Sequence, residues 1–157
     1  MTTRPSRGCG DGPTPTFPRG LSLLVADARR TAGIEEDLRA LRPVRHVRGR
    51  RMPTVAALFD EFAAALQFPY YFGRNKDAFD ECLGELADTV GADAVVLVLD
   101  ADRLLNEQPT ELPWFAQAVG ATDASLVLQV RPGGADAVVD RFAAVGVHLP
   151  RIADPGA

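Results

Sequence analysis

Five carboxylates between residues 77 and 88 have the spacing that most clearly favours a chemical role. A helix is predicted from about Lys76 to Val90, and an advance of about 100° per residue from Asp77 divides it into two arcs that do not overlap. One arc is apolar. The other contains no lysine or arginine and carries all the acids: Asp77, Asp80, Glu81, Glu85 and Asp88. Asp77 and Glu81 lie one turn apart, where like charges destabilise an isolated helix. The pattern favours a face that meets a cationic partner, and simple solvation of an exposed face is the alternative.

The same acids allow an enzymatic interpretation. Asp77 with Glu81, or Asp80 with Glu81, could form a carboxylate pair for acid/base hydrolysis. That chemistry needs one acid to be buried or crowded enough to stay protonated near neutral pH. The chain has no dinucleotide-binding or phosphate-binding glycine motif, and its two histidines, His46 and His148, have no partner at metal-ligand spacing. We therefore expect no enzymatic activity, no catalytic residue, no cofactor and no metal.

The acidic segment follows an aromatic loop at residues 70–75. A helix from the N-cap Thr54 to Leu66 comes first, with apolar residues at helical spacing, and the Phe68-Pro69 pair ends it. In the loop, Gly73 can adopt a positive φ. Asn75 can cap the acidic helix, which would fix the loop against it.

The rest of the chain alternates predicted strands and helices. Apolar runs at residues 21–26, 94–99 and 125–130 predict buried strands, and residues 44–52 predict a strand and turn. Helices are predicted at residues 31–41, 110–119 (capped by Thr110) and 136–145, with a last short strand at 147–149. This order predicts an α/β fold with a largely parallel sheet.

Composition limits the function classes. The chain has 157 residues and a net charge of −4, and a nucleic-acid-binding domain would usually carry a basic surplus instead. No apolar run approaches the roughly 18 residues of a membrane helix. Cys9 and Cys82 do not read as a disulfide framework, so we expect a cytoplasmic protein. The net charge and the short apolar runs predict that it binds neither nucleic acid nor membrane. Residues 1–19 are rich in proline and glycine, which predicts a disordered arm.

The segment at residues 58–86, LFDEFAAALQFPYYFGRNKDAFDECLGEL, resembles the barstar family of intracellular ribonuclease inhibitors. The match is strongest over residues 68–83 and extends loosely over 44–130. The resemblance implies a small parallel sheet of three core strands packed by helices, or four or five strands if the terminal segments contribute. Residues 20–43 then form a strand and helix extension, residues 44–130 the barstar-like domain, and residues 131–157 a C-terminal helix extension and tail.

The resemblance also implies a function. Barstar-like proteins insert a helix and its preceding loop into the cationic active site of a guanyl-specific ribonuclease, where carboxylates mimic RNA phosphates. By position in the motif, Tyr71 matches the loop aromatic that covers that active site, Asn75 and Asp77 match further contacts, and Glu81 matches the central acid. That acid is usually aspartate, and Asp80 replaces an aromatic residue.

We therefore expect a monomer that binds and inhibits a basic microbial ribonuclease. The alternatives are a module of the same fold that binds another basic protein and, last, the carboxylate-dependent hydrolase. The predicted partner-binding residues are Tyr71, Gly73, Asn75, Lys76, Asp77, Asp80, Glu81 and Glu85.

Overall fold

The four strands within the described residues form one parallel sheet. The computed structural model describes residues 17–153. Its strands are β1 (Gly20–Val25), β2 (Val44–Arg48), β3 (Val95–Leu99) and β4 (Ser125–Val130). They lie in the order β1-β4-β3-β2, and every neighbouring pair is parallel. The predicted α/β fold with a small parallel sheet is confirmed, and the sheet has four strands.

The apolar run of β3 is continuous because both faces of the sheet are covered. Val96 and Val98 pack into the larger core cluster, whereas Val95 and Leu97 pack into the smaller cluster on the opposite face. Successive strand residues point to opposite faces, so a strand buried on both sides needs an apolar residue at every position.

The helices are divided unequally between the two faces. Ile34 and Leu38 of α1 (Ala28–Arg39) pack into the smaller cluster. The larger cluster takes its helical residues from the other five helices. These are α2 (Val55–Leu66), α3 (Lys76–Gly84), α4 (Leu86–Thr89), α5 (Leu112–Gly120) and α6 (Ala135–Ala143). No helix within residues 17–153 is long and apolar enough to cross a membrane.

The segment before β2 builds one edge of the sheet and covers one of its faces. Strand β1 pairs with β4 at one edge, and α1 then returns the chain to β2 at the opposite edge. The outer side of β1 is itself covered, because the amide of Leu23 donates to the carbonyl of Pro150 (2.8 Å) and the amide of Ile152 donates to the carbonyl of Leu23 (2.8 Å). The outer side of β2 has no neighbouring strand in the described chain.

Several predicted boundaries were wrong. Helix α1 begins three residues earlier than predicted, because the side chain of Asp27 accepts a hydrogen bond from the amide of Arg30 and caps it. Helix α5 begins at Leu112, since Thr110 lies in a preceding 3₁₀ turn. Residues 147–149 form no strand.

The long helix predicted from Lys76 to Val90 is two helices. Helix α3 ends at Gly84, and Glu85 joins it to the single turn of α4. Glycine has low helix propensity, which agrees with a break at this point. Thr89, which a continuous helix would place on the apolar side, is exposed.

The predicted N-terminal arm falls mostly outside the described residues. Residues 1–16, including Cys9, are in that part of the chain. Phe17, which the predicted arm includes, is instead buried in the smaller core cluster.

Candidate functional site

The loop between α2 and α3 is fastened to the core by two aromatic rings. Gln67 adopts a left-handed conformation (φ 55°) that ends α2. The Phe68 ring then packs edge-on against Phe72, with ring centroids 5.2 Å apart, and Phe72 packs against Phe59 of α2 at 5.8 Å. These contacts hold both ends of a short segment whose middle projects outward.

Tyr70 and Tyr71 occupy that projecting segment. Their relative exposures are 101% and 76%, and their rings meet edge to face at 5.7 Å. Because Phe68 and Phe72 carry the packing, the two tyrosines contribute little to the core. The structure thus presents Tyr71 on the surface, as the sequence predicted, and adds Tyr70 beside it.

The left-handed residue of the loop is Arg74 (φ 49°) and not Gly73, so the positive φ predicted for Gly73 was wrong. The guanidinium of Arg74 lies 3.1 Å from the carboxylate of Asp60 on α2, which holds this residue in place. Gly73 is exposed, and a Cβ there would lie 3.0 Å from the side-chain nitrogen of Asn75. The absence of a side chain at Gly73 therefore leaves room for the cap of α3.

Asn75 caps α3 as predicted. Its Oδ1 accepts a hydrogen bond of 2.8 Å from the amide of Ala78. Phe79 and Leu83 are fully buried on the inner side of the helix, and the Phe79 ring contacts Phe62 at 5.2 Å. With its N-terminus capped and its inner side packed, α3 is a rigid support for the residues on its outer side.

The outer side of α3 and α4 carries five exposed carboxylates, here called the acidic face: Asp77, Asp80, Glu81, Glu85 and Asp88. Within residues 17–153, none of the five forms an ion pair with a lysine, arginine or histidine. Partial burial, and then the charge of Asp77, raises the pKa of the Asp80 carboxyl. The negative charge of Asp77 therefore acts on Asp80, and no lysine, arginine or histidine within residues 17–153 neutralises the acidic face by an ion pair.

The side chain of Lys76 contacts residues outside the acidic face. Its Nζ lies 2.5 Å from the Oε2 of Glu111, and it sits 5.2 Å from the centroid of the Trp114 ring. Glu111 and Trp114 were not predicted as part of the site. No spacing in the sequence relates them to Lys76, because 35 residues separate the two charged partners.

Cys82 lies on the inner side of α3 and is half-buried. Burial, followed by the charges of Glu85 and Glu81, raises the pKa of its thiol. A thiol in this environment is a poor nucleophile. Across residues 17–153, no three His, Cys, Asp or Glu side chains are grouped so that they could hold a metal ion.

Comparison with known proteins gives one family match. A model of the family described as Barstar (barnase inhibitor) matches residues 42–131, which is more than half of the chain. The matched segment begins just before β2, ends just after β4, and contains the aromatic loop and the acidic face. No curated protein matches the chain.

A solved structure with some similarity is described as "Structure of Drosophila ORC bound to AT-rich DNA and Cdc6". The similarity covers 71% of this chain and 40% of that chain, at 14% sequence identity and a TM-score of 0.45. At this level it says nothing about function.

Proposed function

The chain belongs to the barstar family, and on that premise we propose that it binds a basic ribonuclease one to one and blocks its active site. The binding surface is the acidic face together with the loop at residues 70–75. The observation that carries the proposal is a set of five exposed carboxylates on one helical face, none of them paired with a cation within residues 17–153. We propose further that the protein acts as a monomer inside the cell that produces it.

An unpaired acidic face is unfavourable for the free protein. Neighbouring like charges on a helix destabilise it, and partial burial, followed by the charge of Asp77, raises the pKa of the Asp80 carboxyl. A partner with arginine, lysine and histidine side chains in a concave site removes that cost. Charge-assisted hydrogen bonds to carboxylates are about twice as strong as neutral ones. The complementary fields would also accelerate association and make it sensitive to salt.

The tyrosine pair supplies the apolar part of the same surface. Exposed tyrosines fixed on an anchored loop are typical of binding hot spots, because they bury a large area and lose little conformational entropy. Phe68 and Phe72 provide the anchoring here. Tyr70 and Tyr71 would pack against the rim of the partner's active site while the carboxylates enter it.

A basic protein that is not a ribonuclease is the second candidate. Glu81 stands where the family usually has aspartate, and its carboxylate extends about one methylene further, or roughly an ångström. Asp80 stands where the family usually has an aromatic residue. Both differences lie where the acidic face would contact the partner's cations most directly. They favour a partner whose cationic groups are spaced differently.

A hydrolase would need an acid that stays protonated near neutral pH. The raised pKa of Asp80 is the observation in its favour. However, Asp80 and Glu81 are exposed on a convex helical face. Catalytic acids with strongly raised pKa values are typically enclosed in apolar surroundings. We propose no catalytic role for these residues.

The test is a calorimetric titration of the full chain into a guanyl-specific microbial ribonuclease, with RNA cleavage measured in parallel. The expected result is saturable one-to-one binding that abolishes cleavage. A basic protein without nuclease activity serves as the control for simple charge attraction. Equal affinity for both proteins, or binding that leaves cleavage unchanged, would contradict active-site inhibition and favour the second candidate. Absence of binding to several such ribonucleases would overturn the proposal.

A further inference from the structure

A cleft of about 470 Å³ lies beside the outer edge of β2, far from the acidic face in sequence. Three arginines and a histidine line it, together with three apolar residues: Arg39, Arg42, Arg45, His46, Pro43, Val44 and Ala65. The arginines come from different elements. Arg39 is the last residue of α1, Arg42 belongs to the turn that follows, and Arg45 belongs to β2. The fold brings them together because β2 is an edge strand.

The cations of this cleft are only partly neutralised. Glu35 lies 2.6 Å from the guanidinium of Arg39 and 2.7 Å from Nδ1 of His46. Arg42 and Arg45 have no carboxylate partner within residues 17–153. Two guanidinium groups are therefore left to interact with a ligand.

Both of these guanidinium groups are held in position. The guanidinium of Arg42 sits over the Phe17 ring, 5.8 Å from its centroid. Arg45 donates from one nitrogen to the carbonyl of Val44 at 3.1 Å. Each guanidinium group therefore has one contact that restricts it and keeps donors free for bidentate contacts with a ligand.

We propose that this arginine cleft binds a small anion that carries two or more phosphate groups. Guanidinium groups pair with phosphate oxygens through parallel hydrogen bonds, and several arginines lining one cleft favour a ligand with several phosphates. The volume of the cleft lies within the range of small-molecule sites. The inference uses no residue of the acidic face and does not depend on the proposed inhibitor function.

Neither protection of the sheet edge nor polynucleotide binding accounts as well for three arginines lining one cleft. Charged side chains on an edge strand prevent strand-to-strand aggregation, but that purpose does not require Arg39 and Arg42, which lie outside β2, to line the same cleft as Arg45. A long polynucleotide would need cations along an extended surface. The net charge of −4 opposes the binding of such a long polyanion.

The experiment is a titration of the full chain with inorganic pyrophosphate and with adenosine triphosphate, followed by calorimetry and by NMR shifts of backbone amides. Sulfate at equal ionic strength is the control anion. The variant is Arg45→Gln, because Arg45 is exposed and its guanidinium donates to a backbone carbonyl rather than to a carboxylate. The matched variant is Arg51→Gln, which removes the same charge from an exposed position outside the cleft.

We expect saturable one-to-one binding of pyrophosphate, with shifts confined to residues around the cleft. Arg45→Gln should weaken it about tenfold, the loss expected for a charge-assisted hydrogen bond, and Arg51→Gln should leave it unchanged. If both variants lose affinity equally, the binding is diffuse attraction and the proposal fails. It also fails if sulfate binds equally well, if pyrophosphate causes no saturable change, or if a single-stranded RNA binds at the cleft while pyrophosphate and the triphosphate do not.

Discussion

The Nζ of Lys76 lies 2.5 Å from the Oε2 of Glu111, although 35 residues separate the two. The contact joins the first residue of α3 to the turn before α5, and the Trp114 ring lies 5.2 Å from the same ammonium group. Lys76 directly precedes Asp77 at the start of the acidic face, so Glu111 neutralises a positive charge that would otherwise adjoin it. The acidity of this surface therefore depends on a residue of another element.

Replacing Glu111 should weaken partner binding with little effect on the fold. In Glu111→Gln the ammonium of Lys76 is left unpaired and would repel a cationic partner, so we expect a loss of about fivefold in affinity that fades at high salt. Because the pair is partly exposed, stability should change by less than about 1 kcal/mol. Glu107→Gln, which removes an exposed acid with no ion pair within residues 17–153, is the control. Tighter binding by Glu111→Gln would show instead that Lys76 itself contacts an acid of the partner.

Asp80→Asn should stabilise the free protein at neutral pH. The pKa of Asp80 is raised above its ordinary value of 3.8 by burial and by Asp77. The folded state therefore binds this proton more tightly, and the corresponding stability is lost as the pH rises through the raised pKa. The free energy of unfolding of Asp80→Asn relative to the natural chain should increase from about pH 3.8 up to the raised pKa of Asp80. Above that pKa the difference should level off at about 0.3 kcal/mol.

Urea unfolding from pH 3 to 7 would measure this difference. Asp93→Asn is the control, since it removes an exposed acid that lies outside the acidic face. A difference between Asp80→Asn and the natural chain that does not vary with pH would contradict the prediction.

Removal of the α3 cap should lower both stability and affinity. In Asn75→Ala the amide of Ala78 loses the side-chain oxygen that accepts its hydrogen bond at 2.8 Å. Caps of this kind contribute about 1 kcal/mol, so the melting temperature should fall by roughly 3 °C. Asn75→Asp keeps an acceptor at the cap and should recover most of the stability. Asn106→Ala, at an exposed position that caps no helix, should have no comparable effect.

The elements of the fold were largely predictable because their signals are local. The apolar run of β3 follows directly from burial on both faces, and the caps Thr54 and Asn75 follow from residue type. The exposed carboxylates of α3 were also predictable, because the spacing of residues along a single helix determines which of them lie on the same side. The family resemblance rested on the same continuous segment, and the family match confirms it.

Several features of the site depend on contacts between distant segments. The Lys76–Glu111 pair requires α3 and the start of α5 to be neighbours, which no spacing reveals. Eleven arginines lie within residues 1–51, but their sequence positions do not show that Arg39, Arg42 and Arg45 line one cleft beside the edge strand β2. Residue type alone predicts the left-handed position of the loop at Gly73, because glycine adopts that conformation most easily, yet Arg74 is held there by Asp60.

Tyr71→Ala should weaken partner binding while stability stays nearly constant. The side chain is 76% exposed, so its loss leaves no cavity in the core. Aromatic hot spots typically lose about 2 kcal/mol or more on truncation, which corresponds to about thirtyfold in affinity. Leu41→Ala is the matched control, because Leu41 is another exposed apolar residue (59%) but lies outside the loop. Equal affinity of the two variants would remove the loop from the interface.

Glu81→Ala should give the largest loss of affinity among single changes in the acidic face. Glu81 lies near the middle of α3 on its outer side, is exposed and has no ion pair within residues 17–153. In the complex its carboxylate would be buried against cations, and truncation would leave those cations unpaired. Such losses in binding free energy amount to about 2–5 kcal/mol, and the complex of barstar with barnase is a standard example of strong coupling between buried charges.

The matched control for this change is Glu36→Ala, which removes an exposed acid from α1 on the opposite face of the sheet. Both variants should unfold at the same temperature as the natural chain, and only Glu81→Ala should lose affinity in the calorimetric titration. A loss shared by both variants would mean that net charge alone attracts the partner. An unchanged affinity for Glu81→Ala, with Tyr71→Ala still defective, would place the interface on the loop and away from the centre of α3.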